Sequence, residues 1–190
     1  MIAKWRNPDA ILHLAIDDIN IKEISHNIAR ICRFAGGVNR VNFYSVAEHS
    51  VIVARAAQEI FPFASPSVYM AALLHDAHEA YIGDIILPVK WILDSQKLSD
   101  LKHSLQKKVA RAFYFNPKIL DCAGGILAID RAVGDIEASK FYDGEWWRDW
   151  SAFLRPLTPK KIAAMIRGLS PVKADKEFLA TFDAIEDMVW

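Results

Sequence analysis

The chain has 190 residues, enough for one domain with a sizeable single core and too few for two comfortable ones. Hydrophobic residues make up 53% and charged residues 24%, a globular balance that excludes a disordered chain. Lys+Arg and Asp+Glu number 23 each, so the formal net charge is zero and gives no electrostatic case for a nucleic-acid polymer or a membrane surface as partner.

The N-terminal residues Met-Ile-Ala-Lys-Trp-Arg-Asn-Pro lack the apolar run of a signal peptide, and no apolar stretch approaches the roughly 18 residues of a membrane span. A cytoplasmic protein is expected. Cys32 and Cys122 fall in no zinc-binding spacing and read as small buried thiols in a reducing compartment.

In chain order, residues 1–20 read as an irregular lead-in that ends at an N-cap near Asn20. Ile21, Ile24, Ile28, Ile31 and Cys32 then form a one-faced stripe, which predicts a helix over 21–34, stopped by Gly36-Gly37. Arg33 and Phe34 stand at its end, a cation and an aromatic placed to reach a cleft. Ser45 with Glu48 is a capping-box pattern, so a second helix starts there with His49 on its first turn. Phe61 to Pro66 ends it, and Ser67 is the expected cap of a third helix over 68–80, broken by Gly83. Pro88 restricts the next turn; amphipathic helices follow over 91–115 and 119–141, and over 160–169 and 173–190 after Pro156 and Pro159. No segment alternates with period two, and no phosphate-loop or dinucleotide glycine pattern occurs. The expected fold is all-α, a single compact helical bundle spanning 1–190 with its core at about 20–142 and a C-terminal helical extension over 143–190.

The run Met70 to Leu74 leads straight into adjacent His75 and Asp76, so an apolar helix wall delivers an imidazole and a carboxylate at its end. A nitrogen and an oxygen donor side by side suit a divalent cation, and His49 with a later carboxylate would complete a set of donors from different elements. His26 and His78 are peripheral or structural imidazoles on this reading.

The order His49, His75-Asp76, Asp130 resembles the HD-domain metal-dependent phosphohydrolases. Ser45-Val-Ala-Glu-His49-Ser, then Ala-Leu-Leu-His75-Asp76-Ala-His-Glu79-Ala-Tyr-Ile-Gly-Asp84, then Leu-Pro-Val-Lys90 is similar to the branch of bacterial 5′-deoxynucleotidases and phage-type dNTP (dATP) triphosphohydrolases. The resemblance covers roughly residues 20–142. It implies His49, His75, Asp76 and Asp130 as metal ligands, Glu79 and Asp84 as acidic residues handling the attacking water, and Arg33 as a phosphate contact. Asp135 is turned to a different helix face from Asp130, and Glu137 is a supporting or structural acid.

With two imidazoles and two carboxylates, Co, Mn, Zn, Fe or Ni fits the set more readily than Mg, which would instead accompany substrate phosphates. Glu79 follows His75 by four residues and would share its helix face. Lys90, after the Leu-Pro-Val turn, is the expected second phosphate contact. Phe34 stands where relatives often carry Trp, and Gly36 beside it leaves room at a base edge, so Phe34 and Gly36 are the expected nucleobase wall. The aromatic cluster from Phe141 to Trp150 reads first as ordinary burial of large rings, with a cap over the pocket or an oligomer contact as the alternatives.

The implied activity is hydrolysis of deoxynucleotide phosphates, mono- or triphosphate, by a homo-oligomer. A phosphodiesterase acting on a cyclic or dinucleotide and a nucleotide-binding regulator without turnover are the competing readings.

Overall fold

A computed structural model describes residues 8–39, 41–93, 95–121, 125–142 and 157–189. Among them the fold is all-α: helices α1 (Pro8–Leu12), α2 (Ile21–Ile28), α3 (Val46–Ile60), α4 (Pro66–Leu73), α5 (Glu79–Ile82), α6 (Leu87–Leu93), α7 (Gln96–Ala112), α8 (Lys118–Asp121), α9 (Ile126–Phe141), α10 (Pro159–Met165) and α11 (Pro171–Glu186). The described residues contain no strand beyond an isolated bridge between Cys32 and Ser45. None of their helices is long and apolar enough to cross a membrane.

The central helix is α3, which packs against α4, α9 and α11. Its residues from Val46 to Ala54 are all buried. A helix apolar around its circumference needs neighbours on every side, and the alanines at 47, 54, 56 and 57 let them approach closely. The α11 helix contributes Phe178, Phe182 and Ile185 to the same core and packs on α2, α3 and α4. The C-terminal helices therefore share the core of the bundle, with Ile162 of α10 buried as well.

Capping follows local chemistry. Asn20 accepts from Lys22 N and Glu23 N, and Ser45 Oγ accepts from Glu48 N at 3.1 Å. The reciprocal half of the capping box is absent. The Glu48 carboxylate reaches across the fold and accepts the backbone N–H groups of Arg167, Gly168 and Leu169 at 2.7–3.0 Å, tying the α10–α11 connection to the head of α3.

Several boundaries differ from the sequence reading. The first main helix ends at Ile28 rather than Phe34, because the chain turns to run beside residues 44–46: Arg33 N donates to Tyr44 O, and Val46 N donates to Ile31 O. That route leaves Cys32 half-buried rather than buried, while Cys122 lies outside the described residues. Arg33 to Gly36 form a tight turn in which Phe34 and Ala35 take positive φ, +56° and +52°, a left-handed conformation costing about 1–2 kcal/mol per residue.

Ser65, not Ser67, precedes the third main helix, because Pro66 pre-sets the first helical φ. That helix stops at Leu73 rather than Ala80. The His75 Nδ1–H donates to Ala72 O at 2.8 Å, and residues 74–80 continue on three-residue bonds such as Ala77 N to Leu74 O and Glu79 N to Asp76 O. Pro88 lies in the first turn of α6, where a missing N–H costs nothing. Residues 91–115 are split at Ser95, whose hydroxyl caps α7, and 119–141 is split into α8 and α9.

Candidate metal centre

His75 and Asp76 follow the end of α4 at Leu73, and with His75 Nδ1–H donated to Ala72 O the other ring nitrogen, Nε2, stands 3.1 Å from Asp76 Oδ2. His49 comes from the first turn of α3 and Asp130 from α9. One donor atom from each of these four residues lies within 4.8 Å of the others. His49 Nε2 is 3.3 Å from His75 Nε2 and 3.0 Å from Asp130 Oδ1, and His75 Nε2 is 3.1 Å from Asp76 Oδ2 and 3.6 Å from Asp130 Oδ1.

Proton placement tests whether this set suits a cation. His75 Nδ1 faces the Ala72 carbonyl, an acceptor only, so that nitrogen carries the hydrogen. His49 Nδ1 faces Glu137 Oε1 at 2.7 Å; burial alone would raise the Glu137 pKa, but His49 and Arg33 outweigh it and hold the group ionised. Each imidazole therefore turns Nε2 toward the other and toward two carboxylates, Asp76 and Asp130, which favour positive charge at that point. Burial lowers an imidazole's pKa, yet both histidines are shifted upward, His75 strongly through Asp76 and Asp130. Donors bound to one ion at about 2.1 Å would sit about 3.0–4.2 Å apart, which the four separations match.

Glu137, fully buried, organises the support. It receives His49 Nδ1–H and the Tyr44 hydroxyl at 2.5 Å, and pairs with Arg33 at 3.2 Å. Seven residues separate it from Asp130, so α9 presents both on one face. Arg33 also lies 3.7 Å from Asp76, with its side chain only 14% exposed. Its guanidinium is thus committed to two carboxylates of the site, which is more than the phosphate contact that the resemblance implies.

Beside the donors, Asp76, His78 and Glu79 form an overlapping group. Glu79 is buried with Oε2 lacking a partner among the described residues; burial, then Asp76 and Asp84, push its pKa up to about 9. His78 donates from Nδ1 to Gln106 Oε1, whose amide in turn donates to Leu74 O, so α7 braces the donor-bearing turn. Burial lowers the His78 pKa to about 4, leaving it neutral. His26 is exposed on α2, away from the donors.

His75, Asp76 and Asp130 open onto a cavity of about 550 Å³, within the range of small-ligand sites. Lys90 lines it. Lys102, His103 and Lys107 of α7 line it too, and these were hidden in the sequence among many lysines of an amphipathic helix. The signal available was periodicity: Ser99, Lys102, His103, Gln106 and Lys107 share one helical face.

Three expected residues lie elsewhere. Phe34 packs edge-on against Phe141 and Tyr142, with centroids 5.9 and 5.8 Å away, and does not line the cavity. Gly36 is exposed at φ +78°, with nothing within 4 Å of where a Cβ would stand. Asp84 is half-buried and acts on Glu79 through charge without lining the cavity. Of the aromatic cluster, Phe141 is buried and Tyr142 half-buried; 143–150, including Trp146 and Trp147, lies outside the described residues.

No family model matches the chain. It is similar to "Uncharacterized protein YfdR" of Escherichia coli (strain K12), 41% identical over 86 residues, which are 45% of this chain and 43% of that protein. It is also similar to "Uncharacterized protein RCAP_rcc00048" of Rhodobacter capsulatus, 44% identical over 77 residues, 38% of this chain and 37% of that protein. The chain thus spans less than half the length of these curated relatives.

Proposed function

We propose that this chain is a metal-dependent phosphohydrolase of the HD type acting on deoxynucleotide phosphates. The observation that carries the reading is the convergence of His49, His75, Asp76 and Asp130, with both Nδ1 positions already committed, at a cavity also lined by lysines. When bound there, a divalent transition ion would supply positive charge that polarises a phosphoryl oxygen and acidifies water.

The chain's own residues supply the rest. Lys90 binds phosphate oxygens across the cavity. Glu79 holds a proton at neutral pH while its neighbours are uncompensated; with a cation held beside Asp76 it would be deprotonated, could take a proton from the attacking water and could then pass that same proton to the departing oxygen. Asp84 tunes Glu79 by repulsion, and Arg33 fixes the Asp76 carboxylate while balancing Glu137. A homo-oligomer belongs to the same reading, supported by Val89, Ile92 and Leu93, which are exposed together on α6.

The test is to load purified protein with Co, Mn or Zn and incubate it with nucleoside and deoxynucleoside mono- and triphosphates and a cyclic dinucleotide, identifying the released species. Release of phosphate or tripolyphosphate, faster from deoxynucleotides, is expected. Full metal occupancy without hydrolysis of any member would overturn the proposal in favour of a nucleotide-binding protein without turnover.

A further inference from the structure

Arg33 reaches the donor set without lining the cavity. Its Nη1 is 3.7 Å from Asp76 Oδ2, the same oxygen that stands 3.1 Å from His75 Nε2 and 4.0 Å from His49 Nε2. Its Nη2 is 3.2 Å from Glu137 Oε2. Lys90 and Lys102 also act on Glu79, and Lys102 on Asp76, but those two ammonium groups belong to the cavity wall.

The fold holds the guanidinium in place. Arg33 N donates to Tyr44 O at 2.9 Å, the next two residues take left-handed backbone, and the Phe34 ring is anchored edge-on by Phe141 and Tyr142. On α9, Asp130, Gly134 and Glu137 follow one another by four and three residues and so share a face. A glycine inside a helix is unfavourable relative to alanine. Here a Cβ at Gly134 would stand 4.0 Å from Arg33 Nη2, so any longer side chain would run into the guanidinium. The face that carries a metal donor and its supporting acid thus also carries a seat for Arg33.

A divalent ion held by Asp76 Oδ2 would meet Arg33 Nη1 at that same oxygen. Two cations drawn to one carboxylate oxygen repel each other, and burial leaves the repulsion weakly screened. We propose that Arg33 is a resident counter-charge that competes with the metal for Asp76, stabilising the metal-free protein and weakening metal binding. This rests on the donor set of the phosphohydrolase reading and on no substrate or turnover. Its effect is opposite in sign to that of Glu137, which fixes His49 and strengthens the site.

The experiment titrates zinc against a competing chelator, with no substrate present, in the parent, Arg33→Met, Arg33→Gln, Arg33→Lys and the control Arg111→Met. Arg111 is exposed in the last turn of α7 and does not line the cavity. Removing the charge in the Met and Gln variants is expected to tighten zinc binding about tenfold or more while lowering the urea stability of the metal-free protein. Arg33→Lys, which keeps the charge, and the control should stay within about threefold of the parent. A purely structural role would lower stability and zinc affinity together. Arg33→Gln keeps hydrogen-bonding groups at the site and decides the matter should Arg33→Met not fold. Unchanged or weaker zinc binding without the charge, or an equal gain in Arg33→Lys, would overturn the competition alone. A parent that binds no zinc, cobalt or manganese would overturn the metal reading and this inference together. Tighter binding in the variants of a metal-loaded protein that hydrolyses nothing would overturn the phosphohydrolase reading alone.

Discussion

Replacing Glu137 with Gln tests the whole construction of the site from one position. The carboxylate has 0% side-chain exposure and meets three groups: His49 Nδ1–H at 2.7 Å, the Tyr44 hydroxyl at 2.5 Å and Arg33 at 3.2 Å. An amide keeps the shape but has one acceptor oxygen and turns an NH2 toward at least one of these donors. Arg33, almost enclosed, would keep only Asp76 at 3.7 Å as a counter-charge. Breaking a buried charge pair from one side costs about 3–5 kcal/mol, a large part of the 5–15 kcal/mol that holds a domain together. His49 also loses the acceptor that fixes its tautomer, and removing such a support weakens metal binding by about 10- to 100-fold. Urea unfolding of the metal-free variant and zinc titration against a competing chelator measure the two effects. A variant within about 1 kcal/mol of the parent in stability that binds zinc equally well would refute both the charge accounting and the supporting role.

Asp76→Ala should abolish metal content and hydrolysis together; elemental analysis showing full occupancy would remove Asp76 from the donor set. In metal-free protein, stability should fall as pH rises from 4.5 to about 9, because the folded state holds the Glu79 proton that the unfolded chain has released. Glu79→Gln should flatten that slope in urea melts across pH, and in metal-loaded protein lower turnover about a hundredfold or more; an unchanged slope would place the proton elsewhere. Gly168→Ala puts a Cβ 2.6 Å from Val41 Cβ at a residue with φ +67°, so a loss of roughly 1–3 kcal/mol is expected in thermal unfolding, and a neutral result would mean the α10–α11 turn is free to move. Phe34→Ala should lower stability through the lost Phe141 and Tyr142 contacts more than it changes nucleotide affinity, and Gly36→Ile should leave base preference unchanged. Altered relative rates among bases for Gly36→Ile would bring the nucleobase wall back to this turn.

The legible part of this molecule was what depends on neighbours in sequence. Apolar periodicity placed α3, α7, α9 and α11, and side-chain caps at Asn20 and Ser45 stand where hydroxyl or amide chemistry put them. Continuity misled wherever the pattern ran on but the backbone had a better partner. The stripe from Ile21 to Cys32 reads as one helix, yet residues 31–33 pair with 44–46, and the apolar run into His75 reads as helical although the imidazole takes the Ala72 carbonyl. The expectation that Phe34 and Gly36 form a substrate wall rested on that same helix end. Once the helix stops at Ile28, the turn carrying them faces Phe141 and Tyr142 instead of the cavity.

The site divides along the same line. His75, Asp76 and Glu79 are near one another in sequence, and His49 and Asp130 joined them through the order in which they resemble the HD-domain phosphohydrolases. What sequence order does not carry is which distant group faces which. Glu48 is the sharpest case: its spacing from Ser45 makes a capping box, but its carboxylate accepts three backbone N–H groups from residues 167–169. Those donors are available because Gly168 takes a positive φ that turns successive N–H groups toward one point. The residue next to His49 in sequence is therefore clamped by the last third of the chain, while His49 is clamped on its other side by Glu137. Two buried carboxylates from opposite directions fix the first turn of α3, so the placement of that imidazole depends on residues far from it in sequence.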